Sequence, residues 1–160
     1  MASESLQTNI STGTVESLTD DFRVDTAIYI DVLEHIEDDA DEMTRISRHI
    51  RPGGHVIVVS PAHQFLYSPF DHAIGHYRRY NRESLLRCTP PGARVARMEY
   101  LDSLGGILSF CNRALLKQSY PTLAQILFWD RRVVPVSRIT DSLTGFRIGK
   151  SILGVWEIGE

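Results

Sequence analysis

The sequence predicts an α/β protein built on a mostly parallel sheet, and three observations carry that prediction. "DTAIYID", residues 25–31, is a short apolar run with β-branched and aromatic residues and no alternation. Such a run suits a strand covered on both faces. Ala40, Met43, Ile46, Ser47 and Ile50 then recur at helical spacing, and "RPGG" separates them from a second continuous apolar run, "HVIVVSPA". Strand, helix, Pro-Gly turn and strand make a β-α-β unit, which implies a right-handed crossover and a parallel pair.

Each element has a local reason. Asp39 is the expected N-cap of the helix, with Glu42 as its capping-box partner three residues on. The helix stops at "RPGG" because Pro52 cannot continue the ladder and restricts Arg51, while Gly53 and Gly54 permit a tight turn. "HQFLYSPFDHAIGHYRRY" is polar and aromatic without period, which predicts a long loop. "NRESLLRC" reads as a short helix capped by Asn81, and "ARVARMEY" as a strand with one face exposed. Apolar positions 104, 107, 108, 111 and 115 follow helical spacing, and "PTLAQILFW" opens on a helix-compatible Pro121, so two helices are expected before a last strand, "SILGVWEI".

The 160 residues suffice for one domain with its own core. Cys88 and Cys111 lack CxxC spacing and the opening has neither a basic nor an apolar leader segment, so a reduced, cytoplasmic protein is expected. The longest nearly apolar stretch, "LGGILSF", is far too short to span a bilayer. Residues 1 to 45 hold twelve acidic side chains against Arg23 and Arg45, while the remainder is basic on balance. No basic stripe with interleaved aromatics extends beyond "HYRRY", which argues against nucleic acid as a partner. A nicotinamide-binding enzyme is disfavoured because no Gly-rich fingerprint follows a strand.

"FRVDTAIYIDVLEHIEDD", then "ISRHIRPGGHVIVVSPAH", then "GHYRRY" together resemble the C-terminal two thirds of class I S-adenosylmethionine-dependent methyltransferases, specifically a bacterial group with a GHYRRY loop. The resemblance implies a Rossmann-like sheet of order 3-2-1-4-5-7-6 whose last strand is antiparallel. "TAIYID", "HVIVVSP", "ARVARMEY" and "SILGVWEI" would be its strands 4, 5, 6 and 7, and "TNISTGTVESL" the third strand and its turn. Residues 1–160 would then form a single partial methyltransferase domain, with 102–148 as a helical insertion on the substrate side. The chain departs from the family in lacking the Gly-rich loop and the acidic residue after it, and in having Thr14 where relatives often place an aspartate. A sheet incomplete at the N-terminus is expected, from a truncated reading frame or a split protein, with a missing N-terminal portion or a homo-oligomer supplying the absent strands. The implied activity is methyl transfer to a small-molecule or lipid-like acceptor. The alternative is a non-catalytic relic or interaction module that needs a partner chain.

The candidate site lies beyond the carboxyl ends of the two parallel strands, where such sheets bind ligands. By resemblance Asp31, Val32, Leu33 and His35 would line the cofactor. His72 and His76, flanking "AIG" beside Asp71, are candidate bases for the acceptor's proton, or loop histidines bonded to backbone. Tyr77, Arg78, Arg79 and Tyr80 would close over the cleft, the arginines on an anionic substrate group. Glu37, Asp38, Asp39 and Asp41 read as a solvated first turn of the helix. Asp31, Glu34 and His35 share one face at i, i+3, i+4, and a similar E-x-x-E-H element holds Mg²⁺ in some methyltransferases. Glu34, His35 and His63 are therefore candidate metal ligands, although imidazole suits hard Mg²⁺ poorly and no metal is expected. The apolar surface of the two inserted helices reads as core, or as a groove for a lipid-like substrate.

Overall fold

The computed structural model describes residues 12–115 and 122–159. Its sheet has four strands: β1 (Val24–Ile30), β2 (Ile50–Pro61), β3 (Ala93–Leu101) and β4 (Ser151–Ile158). Their order is β1-β2-β4-β3, with β1 parallel to β2 and β4 antiparallel to both its neighbours. Only β4 is therefore reversed, as expected of a Rossmann-like methyltransferase sheet. The expected third strand, residues 8–18, lies partly outside the described residues, and its described part carries a single 3₁₀ turn at Val15–Ser17.

Between β1 and β2 runs α1 (Asp39–Ser47), whose Met43 and Ile46 are buried. Its N-cap is Asp38 rather than Asp39: the Asp38 carboxylate accepts from the Asp41 N–H at 3.1 Å. Asp39 is occupied elsewhere, its Oδ2 accepting from Arg78 and from Tyr80. "RPGG" is more than a turn. β2 already pairs at Ile50 with Val24, and pairing resumes at His55 with Thr26, so Arg51–Gly54 bulge out within the strand. Gly53 takes φ 78°, a conformation that costs other L-residues roughly 1 kcal/mol or more.

One sheet face is closed. Tyr29, Val58 and Gly154 share a register line on it, and α1 together with α3 (Arg82–Leu86) packs Met43, Ile46 and Leu85 against it. The Trp156 ring lies over Gly154, where an added Cβ would come within 2.4 Å of the ring, so glycine is required there. The Trp156 indole N–H donates to Thr89 Oγ1 at 3.0 Å, which satisfies it inside the core. The opposite face is more open: Ile28 and Ile30 on β1 are 61% and 60% exposed.

Two stretches carry more helix than the sequence pattern predicts. The expected loop after β2 contains a 3₁₀ turn, Gln64–Leu66, and α2 (Pro69–Ala73). Ser68, Pro69 and Asp71 supply the cap, the first helical residue and the reciprocal capping-box partner of α2. That signal is local and does not depend on hydrophobic period. Beyond β3 come α4 (Ser103–Leu115), α5 (Leu123–Phe128), a π turn at Trp129–Val133 and α6 (Val134–Leu143), three helices rather than two. Pro121 lies outside the described residues, and α5 is capped by Thr122.

Candidate functional site

Beyond the carboxyl ends of β1 and β2 the chain turns sharply. Asp31 adopts φ 51° while its N–H still donates to Val59 O at 2.9 Å, so β1 stays paired up to the bend. A 3₁₀ turn, Leu33–His35, follows, and it separates the side chains by burial. Leu33 and Glu34 are fully buried, whereas Asp31, Val32 and His35 are exposed. Leu33 is core, so of the four expected cofactor-lining side chains it is the one turned away.

Glu34 is an acid without solvent. Its Oε2 accepts from Ser60 Oγ at 2.9 Å, and its Oε1 has no hydrogen-bond partner. Burial raises the pKa of its carboxyl, with Asp31 adding to the rise and Ser60 and His76 opposing it. His76 Nε2 lies 3.7 Å from that unpaired Oε1, and His76 Nδ1 lies 3.1 Å from Asp71 Oδ1.

α2 places His76 there. Its C-terminus closes with Gly75 N–H on His72 O and His76 N–H on Asp71 O, a Schellman arrangement with Gly75 at φ 84°. Tyr67 OH donates to His76 O at 2.6 Å and the Tyr77 N–H to Glu34 O at 2.8 Å, which ties the turn to the end of β1. Asp71, 1% exposed, accepts from Ser68 N–H and Oγ–H and from Arg79 Nε and Nη2. Burial alone would raise its pKa, but Ser68 and the Arg79 guanidinium outweigh it and hold the carboxyl below its ordinary range.

The remaining expected residues fall into distinct places. His72 is exposed on α2 and Tyr77 is exposed after it. Arg78 donates to Asp39 Oδ2 at 2.7 Å and Glu37 O at 2.6 Å, and Arg79 is bidentate on Asp71. Both guanidiniums therefore have intramolecular carboxylate partners. Tyr80 is 1% exposed, bridges to Ala62 at the end of β2, and donates its hydroxyl to Asp39; it is core rather than cleft wall. His63, at φ 66°, stacks on Tyr100 with ring centroids 4.8 Å apart. It does not join Glu34, but His35 and His76 do: one ligand atom from each of the three lies within 4.8 Å of the others. Sequence spacing offers Asp31 and His63 for that cluster because it carries no sign of the turn at Gly75. Asp71 and Ser60, the cluster's hydrogen-bond partners, were signalled only by the Ser-Pro-x-Asp cap and the strand end.

A shallow cavity of about 400 Å³, lined by Val15, Arg23, Arg45 and His49 among others, opens at the opposite ends of β1 and β2. It is remote from this chemistry. A separate polar knot holds the helical segment. Asp102 accepts from Gly105 N–H, Ser137 Oγ–H and Trp129 Nε1–H, and Asp141 accepts from the N–H groups of Asp102 and Ser103.

No family model matches the chain and no curated protein matches it. Solved structures do. A complex of the Haloferax volcanii Trm112 methyltransferase activator with a methyltransferase-like protein is 16% identical, covering 92% of this chain and 60% of that one at a TM-score of 0.54. The [4+2]-cyclase SpnF is 16% identical, covering 93% and 55% at 0.56. A methyltransferase-like protein of Bacillus halodurans is 14% identical, covering 92% and 70% at 0.54. The chain thus spans little more than half the length of the first two. These likenesses establish a Rossmann-like methyltransferase fold, and the cyclase among them shows that the fold is not confined to one reaction.

Proposed function

We propose that the chain binds S-adenosylmethionine beyond the carboxyl ends of β1 and β2 and serves methyl transfer to an oxygen or nitrogen of a small-molecule or lipid-like acceptor. The observation that carries this reading is the order β1-β2-β4-β3 with β4 alone reversed, ending at an acidic turn in the crevice, in a fold shared with methyltransferases. When bound, S-adenosylmethionine supplies a methyl group activated by its sulfonium charge.

The exposed turn fits such a ligand. Asp31 offers a carboxylate to hydroxyl or ammonium groups, Val32 an apolar contact and His35 an imidazole, while Leu33 contributes backbone alone. Catalysis of this kind rests on positioning more than on covalent chemistry by the protein. The proton lost by the acceptor goes to His72, whose ring is exposed; His76 is turned inward between Asp71 and Glu34. Tyr77 borders the crevice, and Arg78 and Arg79 brace the strap around it through Asp39 and Asp71. The apolar character of the acceptor is supported by Ile107, Phe110, Phe128, Ile139 and Leu143, all exposed on the helices between β3 and β4. A reduced, cytoplasmic setting suits the free, buried Cys88.

The same reading includes a partner chain beside the crevice. Support for a partner comes from the Haloferax structure, which is itself a complex with an activator. The test is calorimetric titration of S-adenosylmethionine into the purified 160-residue chain after a cooperative melt has been confirmed. Saturable micromolar binding is expected, lost in Asp31→Lys; a folded chain that takes up none, at any protein concentration that permits self-association, overturns the reading.

A further inference from the structure

We propose that Glu34, His35 and His76 form a binding site for a borderline divalent cation of the Zn²⁺ class, with Asp71 as the outer partner that sets the His76 ring. The inference is independent of the methyl-transfer reading.

The argument starts at Glu34 Oε1. It is a carboxyl oxygen on a residue with no solvent exposure and no hydrogen-bond partner, an arrangement that destabilises the fold unless something else satisfies it. His76 Nε2 stands 3.7 Å from it, beyond hydrogen-bond length. The tautomer of His76 follows from its other side. Asp71 Oδ1 faces Nδ1 at 3.1 Å while both Asp71 oxygens accept from Arg79, so Nδ1–H donates to Asp71 and Nε2 is the ring nitrogen turned to Glu34. An imidazole nitrogen and an unpartnered carboxyl oxygen thus face each other across a gap too wide for a hydrogen bond. A cation between them satisfies both.

The third donor is the His35 ring, which meets the His76 ring edge-on at 4.5 Å between centroids. Around a tetrahedral Zn²⁺, ligand atoms bound at ~2.0–2.1 Å stand about 3.3 Å apart. Glu34 and His76 already approach that spacing, and His35, being exposed, closes the rest by side-chain rotation. Two imidazoles and one carboxylate favour Zn²⁺, or Fe²⁺, Co²⁺ and Ni²⁺ of similar softness, over Mg²⁺ and Ca²⁺. Asp71 fits the carboxylate–histidine–metal relay found behind bound histidines, and Arg79 and Ser68 hold that carboxylate in turn. Three protein ligands with the exposed His35 on the outer side leave one position open to water or to a heteroatom of a bound molecule.

The test uses the full chain after chelator treatment and dialysis. Titration with ZnCl₂ by calorimetry is expected to show one equivalent per chain, with a rise in melting temperature, and a thousandfold excess of MgCl₂ is expected not to displace it. Asp71→Asn should weaken Zn²⁺ about 10–100-fold, and Glu34→Gln and His76→Gln by more. Should these variants fail to fold, X-ray absorption of the wild-type Zn²⁺ or Co²⁺ form decides, with two imidazole ligands expected. No saturable binding, displacement by Mg²⁺, unchanged affinity in folded Glu34→Gln, or a coordination shell without imidazole overturns the proposal.

Discussion

The hydroxyl of Tyr80 donates to Asp39 Oδ2 at 2.6 Å and reaches Leu33 O at 3.3 Å, inside the core at the end of β2. Burial, then the neighbouring Asp39 carboxylate, pushes its pKa far upward, so the phenol stays neutral and serves as a donor. Tyr80→Phe keeps the ring and removes the donor; the loss should be about 1–2 kcal/mol by urea unfolding, with ligand affinity in the crevice unchanged. A fall in affinity without a fall in stability would return Tyr80 to the cleft wall. Cys88 obeys the same logic. Burial first, then Asp39, raises its thiol to about 12, so in a Cys111→Ser background the native chain should leave a thiol reagent unreacted until it is unfolded. Rapid labelling of the folded protein would contradict that placement. Such roles are illegible from sequence because Tyr77 and Tyr80, three residues apart in one motif, differ only in what packs over them.

Among the elements, the helices between β3 and β4 are tied to the end of β3 through Asp102 and Asp141. Asp102 sits at φ 62°, caps α4 through the Gly105 N–H, and takes Ser137 of α6, the Trp129 indole and the Lys150 ammonium at 3.5 Å. Burial would raise its pKa, but Ser137, Trp129 and Lys150 together hold it below the ordinary carboxylate range. A carboxyl whose folded pKa lies below its unfolded one binds fewer protons in the native state. Its contribution is therefore complete above the unfolded value and is lost as pH falls through the folded one. Asp102→Asn should be less stable than wild type at pH 7, and the gap should narrow below about pH 4, read as urea midpoints across the acid range. A gap that keeps its size to pH 2.5 would mean that shape, not charge, holds the knot. The tertiary partners of neither aspartate show in the sequence, since Trp129 and Ser137 stand 27 and 35 residues from Asp102, and Asp141 binds N–H groups 39 and 38 residues away. α2, expected as loop for want of a hydrophobic period, and the cap of α5 can be read only locally: Ser68-Pro-x-Asp71 and Thr122-x-x-Gln125 spell capping boxes that need no tertiary context.

Across the whole molecule, strand order decides which short segment the fold cannot lose. The β-α-β unit, β3 and the last strand can each be read from local pattern, but the position of β4 between β2 and β3 cannot; only the family likeness implied it. Val56 pairs with Trp156 and Val95 pairs with the same residue from the other side, so the C-terminal strand is the centre of the sheet. Ile152 and Trp156 are buried without remainder in the core that β1, α1 and α3 share. Deleting residues 151–160 would divide the sheet into a β1–β2 pair and a solitary β3, and remove a buried Trp worth about 3–5 kcal/mol by itself. Against a net stability of roughly 5–15 kcal/mol, that loss should abolish the cooperative melt. Hydrogen exchange offers the graded version of this expectation: amides of β2 and β4, paired on both sides, should exchange by global unfolding, while those of β1 and β3 exchange sooner. If peptides covering 151–158 lost protection before those covering 93–101, β4 would not be the central strand. The candidate site would lose its footing with it, because β2 delivers Ser60 to Glu34 and anchors Tyr80 only while β4 holds its other edge.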